Sequence, residues 1–252
     1  MAQLTDIFRH PIKGLAPESL SSAELIAGQA LAGDRQFALA HKTSKYDPAN
    51  PKWQKRNNFV VVALTPKLAT IATSFNDETG VLKVTDAEGA EHSFNLAEAD
   101  DQMRLGALVE AYGNAAQPGP YTLAKVQSGN LADRNTQTIS LHSGASHDEV
   151  VKSSGIDISR RRWRGNLWFS GFPAWEEFNW VGKEVSIGSV RLEVTERIER
   201  CAATSANTKT GERDINMPSH LFTEYAHRDF GVLCKVLSNG CIQPGDTVQV
   251  HG

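Results

Sequence analysis

The chain has 252 residues, 40% hydrophobic and 22% charged, enough to bury one large core or two smaller ones and unlike the make-up of a disordered protein. A formal charge of −3 argues against a general nucleic-acid or membrane-surface binder, because either carries a basic excess over a whole face. The amino terminus has no charged segment followed by an apolar run, and nothing approaches the roughly 20 apolar residues of a membrane span, so a cytoplasmic protein without a membrane partner is expected. Its three cysteines, Cys201, Cys234 and Cys241, have no disulfide-framework spacing and fall short of the four thiolates of a typical iron–sulfur cluster.

In chain order, Asn58 to Leu64 is a β-branched run stopped by Thr65-Pro66, which predicts a buried strand. Residues 81–86 and 91–96 predict a hairpin turning at Glu88-Gly89. Leu105, Leu108, Val109 and Tyr112 fall at helical spacing behind acidic residues, and Gly113-Asn114 closes that helix. The Ala-Ala-Gln-Pro-Gly-Pro stretch ending at Pro120 is the best linker, dividing the chain into 1–115 and 116–252. Beyond it, Ser146-His-Asp-Glu149 reads as a capping box opening a short helix. Strands at 184–187 and 190–194 join at Gly188-Ser189, a helix is predicted over 219–226, and strands follow at 230–237 and 247–250. The fold class is mostly β with some α (α+β): two β-barrel-like domains with a few short helices.

Cys201 ends a strand-like stretch beside Arg200 and opens a polar loop, a placement suited to metal or nucleophilic chemistry; the alternative is a small buried hydrophobe. Residues 159–169 hold four arginines in five positions, Arg160 to Arg162 and Arg164, followed by an apolar piece. That pattern suits a phosphate-binding strand entrance, a solvated charge run, or an RNA contact through Arg and interleaved Trp. Lys13 follows a strand-like start and precedes Gly14, and Arg35 follows a turn. With a thiol, these cations suggest a ligand anionic at one end and thiophilic at the other. His10, His142, His147, His220 and His227 show no ligand spacing. Cys234 alternates like a core residue, Cys241 follows a turn, and Trp163, Trp168, Trp175 and Trp180 are expected to pack the second barrel.

These same segments carry a resemblance. Pro11-Ile-Lys13, Gly33-Asp-Arg35, Arg164-Gly-Asn-Leu-Trp-Phe-Ser-Gly171, Arg200-Cys201, Thr210-Gly211, Phe230-Gly231 and Pro244-Gly-Asp246 are similar in order and spacing to the MOSC family, including its amino-terminal β-barrel domain. The resemblance implies a molybdenum–pterin cofactor (Mo-molybdopterin) with Cys201 as thiolate to the metal. It implies that Lys13, Arg35, Arg164 and Arg200 bind the pterin and its phosphate, with Asn166 and Thr136 nearby. Beside Thr136, where relatives often have Asp, this sequence has Asn135, and the loop after Cys201 lacks the Asp-Pro pair common in the reductases. The function it implies is an oxidoreductase that reduces N–O (N-hydroxylated) small molecules, taking electrons from a separate ferredoxin- or cytochrome-like protein. The alternatives are a non-catalytic cofactor or sulfur carrier working through a Cys201 persulfide, and an RNA-binding module built on the arginine loop.

Overall fold

The computed structural model describes residues 1–252. Fifteen strands and three α-helices form in chain order, β1 (Gln3–Arg9), β2 (Glu18–Leu20), β3 (Ala23–Leu25), β4 (Phe37–Ala40), β5 (Ala72–Asn76), β6 (Val81–Thr85), β7 (Glu91–Asn95), α1 (Ala99–Glu110), β8 (Thr122–Lys125), β9 (Ile139–Ser143), α2 (Gly144–Ser154), β10 (Leu167–Ser170), β11 (Glu184–Ile187), β12 (Val190–Glu199), α3 (Met217–Tyr225), β13 (Asp229–Val236), β14 (Gly240–Ile242) and β15 (Val248–His251). The mostly β, α+β class is the observed one. No helix is long and apolar enough to cross a membrane.

The largest sheet runs β15-β11-β12-β13-β9-β10-β1-β2. It closes on itself, because Gln3 of β1 bridges Thr247 just before β15, and Leu4 N donates to the Asp246 carbonyl at 2.8 Å. Closure removes the exposed edges that an open sheet of this size would present. Its interior holds 21 buried residues, and five of them, Leu4, Ile7, Ala23, Leu25 and Leu31, come from the first 31 positions. A second core of 18 residues lies between β5-β6-β7, the β4-β8 pair and α1, on whose inner face Leu105 and Val109 are fully buried. The expected sequence division at 115/116 is therefore crossed in space: β1 and β3 pack in the carboxy-terminal barrel, while Ile12 and Leu15 between them already belong to the amino-terminal core.

Two local expectations are corrected. The run from Asn58 to Leu64 is no strand. Phe59 makes one bridge to Ala40, after which the Val61 carbonyl accepts from both Leu64 N and Thr65 N in a turn. The side chain of Gln117 takes the place of a partner strand, its amide bonding the Phe59 carbonyl and accepting from Val61 N at 3.2 Å. Phe59, Val60 and Val62 are buried nonetheless, so apolar burial without a free ladder produced the strand signal. Helix α2 starts earlier than the capping-box reading: Ser143 is the N-cap, its Oγ accepting from Ser146 N at 3.2 Å, and Gly155 closes the helix at φ 67°. Ser146 lies inside the helix, buried, donating to the buried Glu177 carboxylate and accepting from Trp175 N at 2.8 Å. The 81–85/91–95 hairpin, α1, β11, β13 and the helix before β13 lie where expected, α3 beginning two residues early because Asn216 caps it through Ser219 N. Cys234 and the tryptophans at 163, 168 and 180 are buried in the second barrel and its flanking cluster, and Trp175 packs against them half-buried.

Leu4 and Ile7 are fully buried, and side chains of that size contribute roughly 2–3 kcal/mol each, a large share of the roughly 5–15 kcal/mol net stability of a domain. A fragment of residues 116–252 therefore lacks both closing strand and core, and is expected to give no cooperative thermal transition by circular dichroism. A sharp melt of that fragment would show that β1 is dispensable.

Candidate functional site

Strand register builds the site. In the antiparallel β1/β10 pair, Ile7 faces Leu167, so the residues that follow β1 run alongside those that precede β10; Phe8 N donates to the Asn166 carbonyl at 2.7 Å. In the parallel β9/β10 pair, Leu141 faces Leu167, which brings the residues before β9 to the same place. Lys13, Arg164 to Asn166, and Thr136 to Ser140 thus converge at one mouth. There they line a cleft of about 210 Å3, together with Arg35, Arg200 and Cys201. All seven residues singled out from the sequence lie on its wall, and they play different parts.

Asn166 is committed to the scaffold. Its Oδ1 accepts from Ser140 Oγ at 3.1 Å and Ser140 N at 3.3 Å, and its Nδ2 donates to the Phe8 carbonyl at 3.2 Å. Arg200 is also held by the wall, donating to the Phe230 carbonyl through Nε at 2.8 Å and to the Trp163 carbonyl at 3.0 Å, with His142 Nδ1 at 3.3 Å. Thr136 sits at the exposed rim, 3.5 Å from the Thr138 hydroxyl. Lys13 is buried, its ammonium bonded to the Leu131 carbonyl at 2.8 Å and to the Asp133 carboxylate. Arg35 pairs with Asp34 and donates to the Arg164 carbonyl at 2.7 Å.

Arg164 differs from all of these, because its guanidinium has no hydrogen bond or ion pair in the protein although it opens on the cleft. Burial and the charge of Arg35 lower its pKa to about 10, and burial lowers that of Arg200 to about 9, while the Cys201 thiol beside them acts in the opposite direction. Both are half-buried and remain cations at neutral pH, with Asp34 and Asp133 near Arg164 and Asp229 near Arg200 partly offsetting the effect of burial. Burial likewise lowers the Lys13 pKa, with Asp133 opposing it. Cys201 is partly exposed, caps the short turn Ala202–Ser205, and accepts through its carbonyl from Thr204 N and Oγ1 at 3.1 and 2.9 Å, leaving its sulfur to the cleft. Cys241 is exposed elsewhere, on β14.

The backbone is strained at the same place. Arg35 and Arg164 adopt left-handed conformations, φ 50° and 56°, where non-glycine residues are rare. Gly165 follows because a Cβ there would come within 2.1 Å of the His142 ring, which stacks between Trp168 and Phe230.

Sequence reasoning missed the carboxylates and histidines that set this electrostatic frame. Asp34 is buried; burial pushes its carboxyl up, but Arg35 and the bonds from His10 hold it below the usual range. His10 is fully buried with ring nitrogens lacking a good hydrogen bond, and burial with the charge of Arg35 lowers its pKa to about 3. Asp34 was adjacent to Arg35 in the sequence, but Asp133 is 120 positions from Lys13, beyond any local pattern. No group of three or more His, Cys, Asp or Glu side chains is arranged to hold a metal ion. The arginine run does not form one surface: Arg160 bonds Asp6 at 2.6 Å, Arg162 is buried against Asp214 at 2.6 and 2.9 Å, and only Arg161 faces solvent unpaired. That dispersal removes the contiguous basic face that the RNA reading requires.

Two family models decide the classification. The MOSC N-terminal beta barrel domain matches residues 1–119 and the MOSC domain matches residues 126–249. The chain belongs to the MOSC family. No curated protein matches it. Among solved structures it is similar to YiiM from Geobacillus stearothermophilus, at 15% identity and a TM-score of 0.37, over 45% of this chain and about half (54%) of that one. It is also similar to the YUAD protein from Bacillus subtilis, at 12% identity and a TM-score of 0.48, over 100% of this chain and 97% of that one.

Two outcomes test this electrostatic frame. Arg164→Gly removes both a crowded cation and a left-handed non-glycine residue, so a gain of about 1 kcal/mol and a melting temperature roughly 2–4 °C higher are expected. Pyrophosphate is expected to raise the melting temperature of the wild type and not that of this variant; a lowered melting point of the variant alone would mean that Arg164 supports the fold. Histidines kept neutral in the fold give the second. Burial lowers the pKa of His147 to about 4 and that of His10 to about 3, so below pH 6.5 the unfolded chain takes up protons that the folded one refuses. Stability should fall from pH 6.5 toward pH 4 by on the order of 1 kcal/mol per pH unit per histidine, read by urea unfolding, with a shallower slope in His147→Gln.

Proposed function

We propose that the cleft binds a molybdenum–pterin cofactor and that the protein is an oxidoreductase that reduces N–O bonds of small N-hydroxylated compounds. The observation that carries this reading is the convergence of Arg164, Arg35, Arg200 and Lys13 on one cleft with the Cys201 sulfur. The donor set fits the group: a soft thiolate suits molybdenum, and guanidinium forks suit a phosphate. It also fits the wall, since the half-buried Arg164 guanidinium faces the cleft with its donors free for an anion. Cys201 is the cleft's thiol and would be the protein's donor to the metal, the cofactor supplying the other donors.

In this reading Arg164 holds the anionic end, Arg200, Lys13 and Arg35 set the field around it, and Asp34 and Asp133 fix the last two cations. Asn166 and His142 orient the wall. When bound, the cofactor supplies two-electron redox chemistry; reduction of an N–OH group consumes two electrons and two protons and releases water. The electrons come from a separate donor protein, ferredoxin- or cytochrome-like.

Protein purified from a host that makes the cofactor is expected to contain molybdenum and pterin. Cys201→Ser should lower metal content and abolish amidoxime reduction with a chemical reductant, and Arg164→Ala should cut bound pterin about ten-fold or more. Folded wild type without molybdenum would overturn the reading. A sulfur adduct on Cys201 in that metal-free protein, seen by mass spectrometry, would favour the carrier.

A further inference from the structure

Residues 45–58 form a loop without strand or α-helix at the cleft rim. Its ends meet, Lys45 N donating to Asn58 Oδ1 at 2.7 Å, so it is a closed loop of the compact kind that keeps its own shape. Two aromatic anchors hold it to the body: Trp53 Nε1 donates to the Ala132 carbonyl at 2.9 Å, and the Tyr46 hydroxyl donates to the Lys125 carbonyl at 2.8 Å. Ala132 is itself part of the cleft wall. The loop carries Lys45, Lys52, Lys55 and Arg56 against the single carboxylate Asp47, on a chain whose net charge is −3. All four cations are exposed, and the three lysines have no ion pair. Arg56 lines the cleft and lies 4.0 Å from Asp133, the carboxylate that binds Lys13, which joins the loop's charge to that of the site.

We propose that this loop is the docking surface for an acidic redox protein that delivers electrons at the cleft mouth. The proposal rests on the oxidoreductase reading for the purpose of the contact, not for its chemistry. A concentrated positive patch on an acidic protein steers an acidic partner and orients it, while the rest of the surface repels it. Electrons for a group held in the cleft enter through its mouth, where Arg56 and Ala132 join the loop to the wall. A protein partner fits better than a nucleic acid. Single-strand binding uses exposed aromatic rings to stack on bases, and here Trp53 and Tyr46 are half-buried, Tyr46 packing on Phe59, while the exposed side chains are the lysines.

A plant-type [2Fe–2S] ferredoxin, an acidic one-electron carrier, is the probe. Wild type should bind it by calorimetry at 50 mM salt and lose about ten-fold in affinity by 200 mM. The Lys45→Glu/Lys52→Glu/Lys55→Glu variant should lose at least ten-fold at 50 mM salt with an unchanged melting temperature. A Lys83→Glu/Lys235→Glu control, altering exposed lysines on β6 and β13, should bind nearly as wild type. Absence of wild-type binding, an equal loss in the control, or displacement of ferredoxin by a single-stranded oligonucleotide would each overturn the proposal. Molybdenum assayed on the same preparation separates the two ideas. Metal with no ferredoxin binding defeats the docking surface alone, and lysine-dependent binding by metal-free protein upholds the surface while the oxidoreductase reading fails.

Discussion

The pairing of β1 with β10 is the contact on which everything else depends. It closes the carboxy-terminal barrel, and through the Ile7–Leu167 register it sets the two segments that leave those strands side by side. One segment carries His10 and Lys13, the other Arg164 and Asn166. Leu4 and Ile7, three positions apart, share the core because the pairing with β10 shifts register between Leu4 and Asp6, so this bulge and the two side chains it buries fix the register and, with it, the position of the cations. Stability and site geometry share a single constraint. That is why the two halves matched by separate domain models behave in space as interlocked pieces, with the first strands of one serving as staves of the other.

Much of the fold was legible because it rests on local pattern. The 81–85/91–95 hairpin has its alternation and its Gly turn, α1 has its apolar face, and β11 and β12 have theirs. Errors arose where a side chain did the work of backbone. Gln117 replaced the strand that Phe59 and Val61 needed, and Ser143, at the end of β9, took the cap that Ser146 could have filled. Neither substitution leaves a mark at the affected positions.

The seven candidate positions were legible as residue types in order, and the structure brings them to one cleft. Their individual roles were not. Arg164 and Arg200 look alike in sequence, yet Arg200 spends its donors on the carbonyls of Phe230 and Trp163 while Arg164 keeps its own. The difference is decided by backbone carbonyls more than 25 positions away. The arginine run shows the same point on a larger scale: four guanidinium groups within five positions take four destinations, because the short turn Arg160–Trp163 and the left-handed Arg164 point successive side chains in different directions.

The cleft is costly in the absence of an anion. Arg164, Arg35, Arg200 and Lys13 repel one another in a poorly solvated space, and two of them sit in strained backbone. Asp34 and Asp133 offset part of that repulsion from a distance, but each is paired with another cation, so no carboxylate bonds Arg164 directly. Closing the barrel provides the stability that lets such an arrangement persist. An anion entering the cleft would gain free energy from groups already desolvated and already in place, with little reorganisation, which is the physical condition for tight and oriented binding.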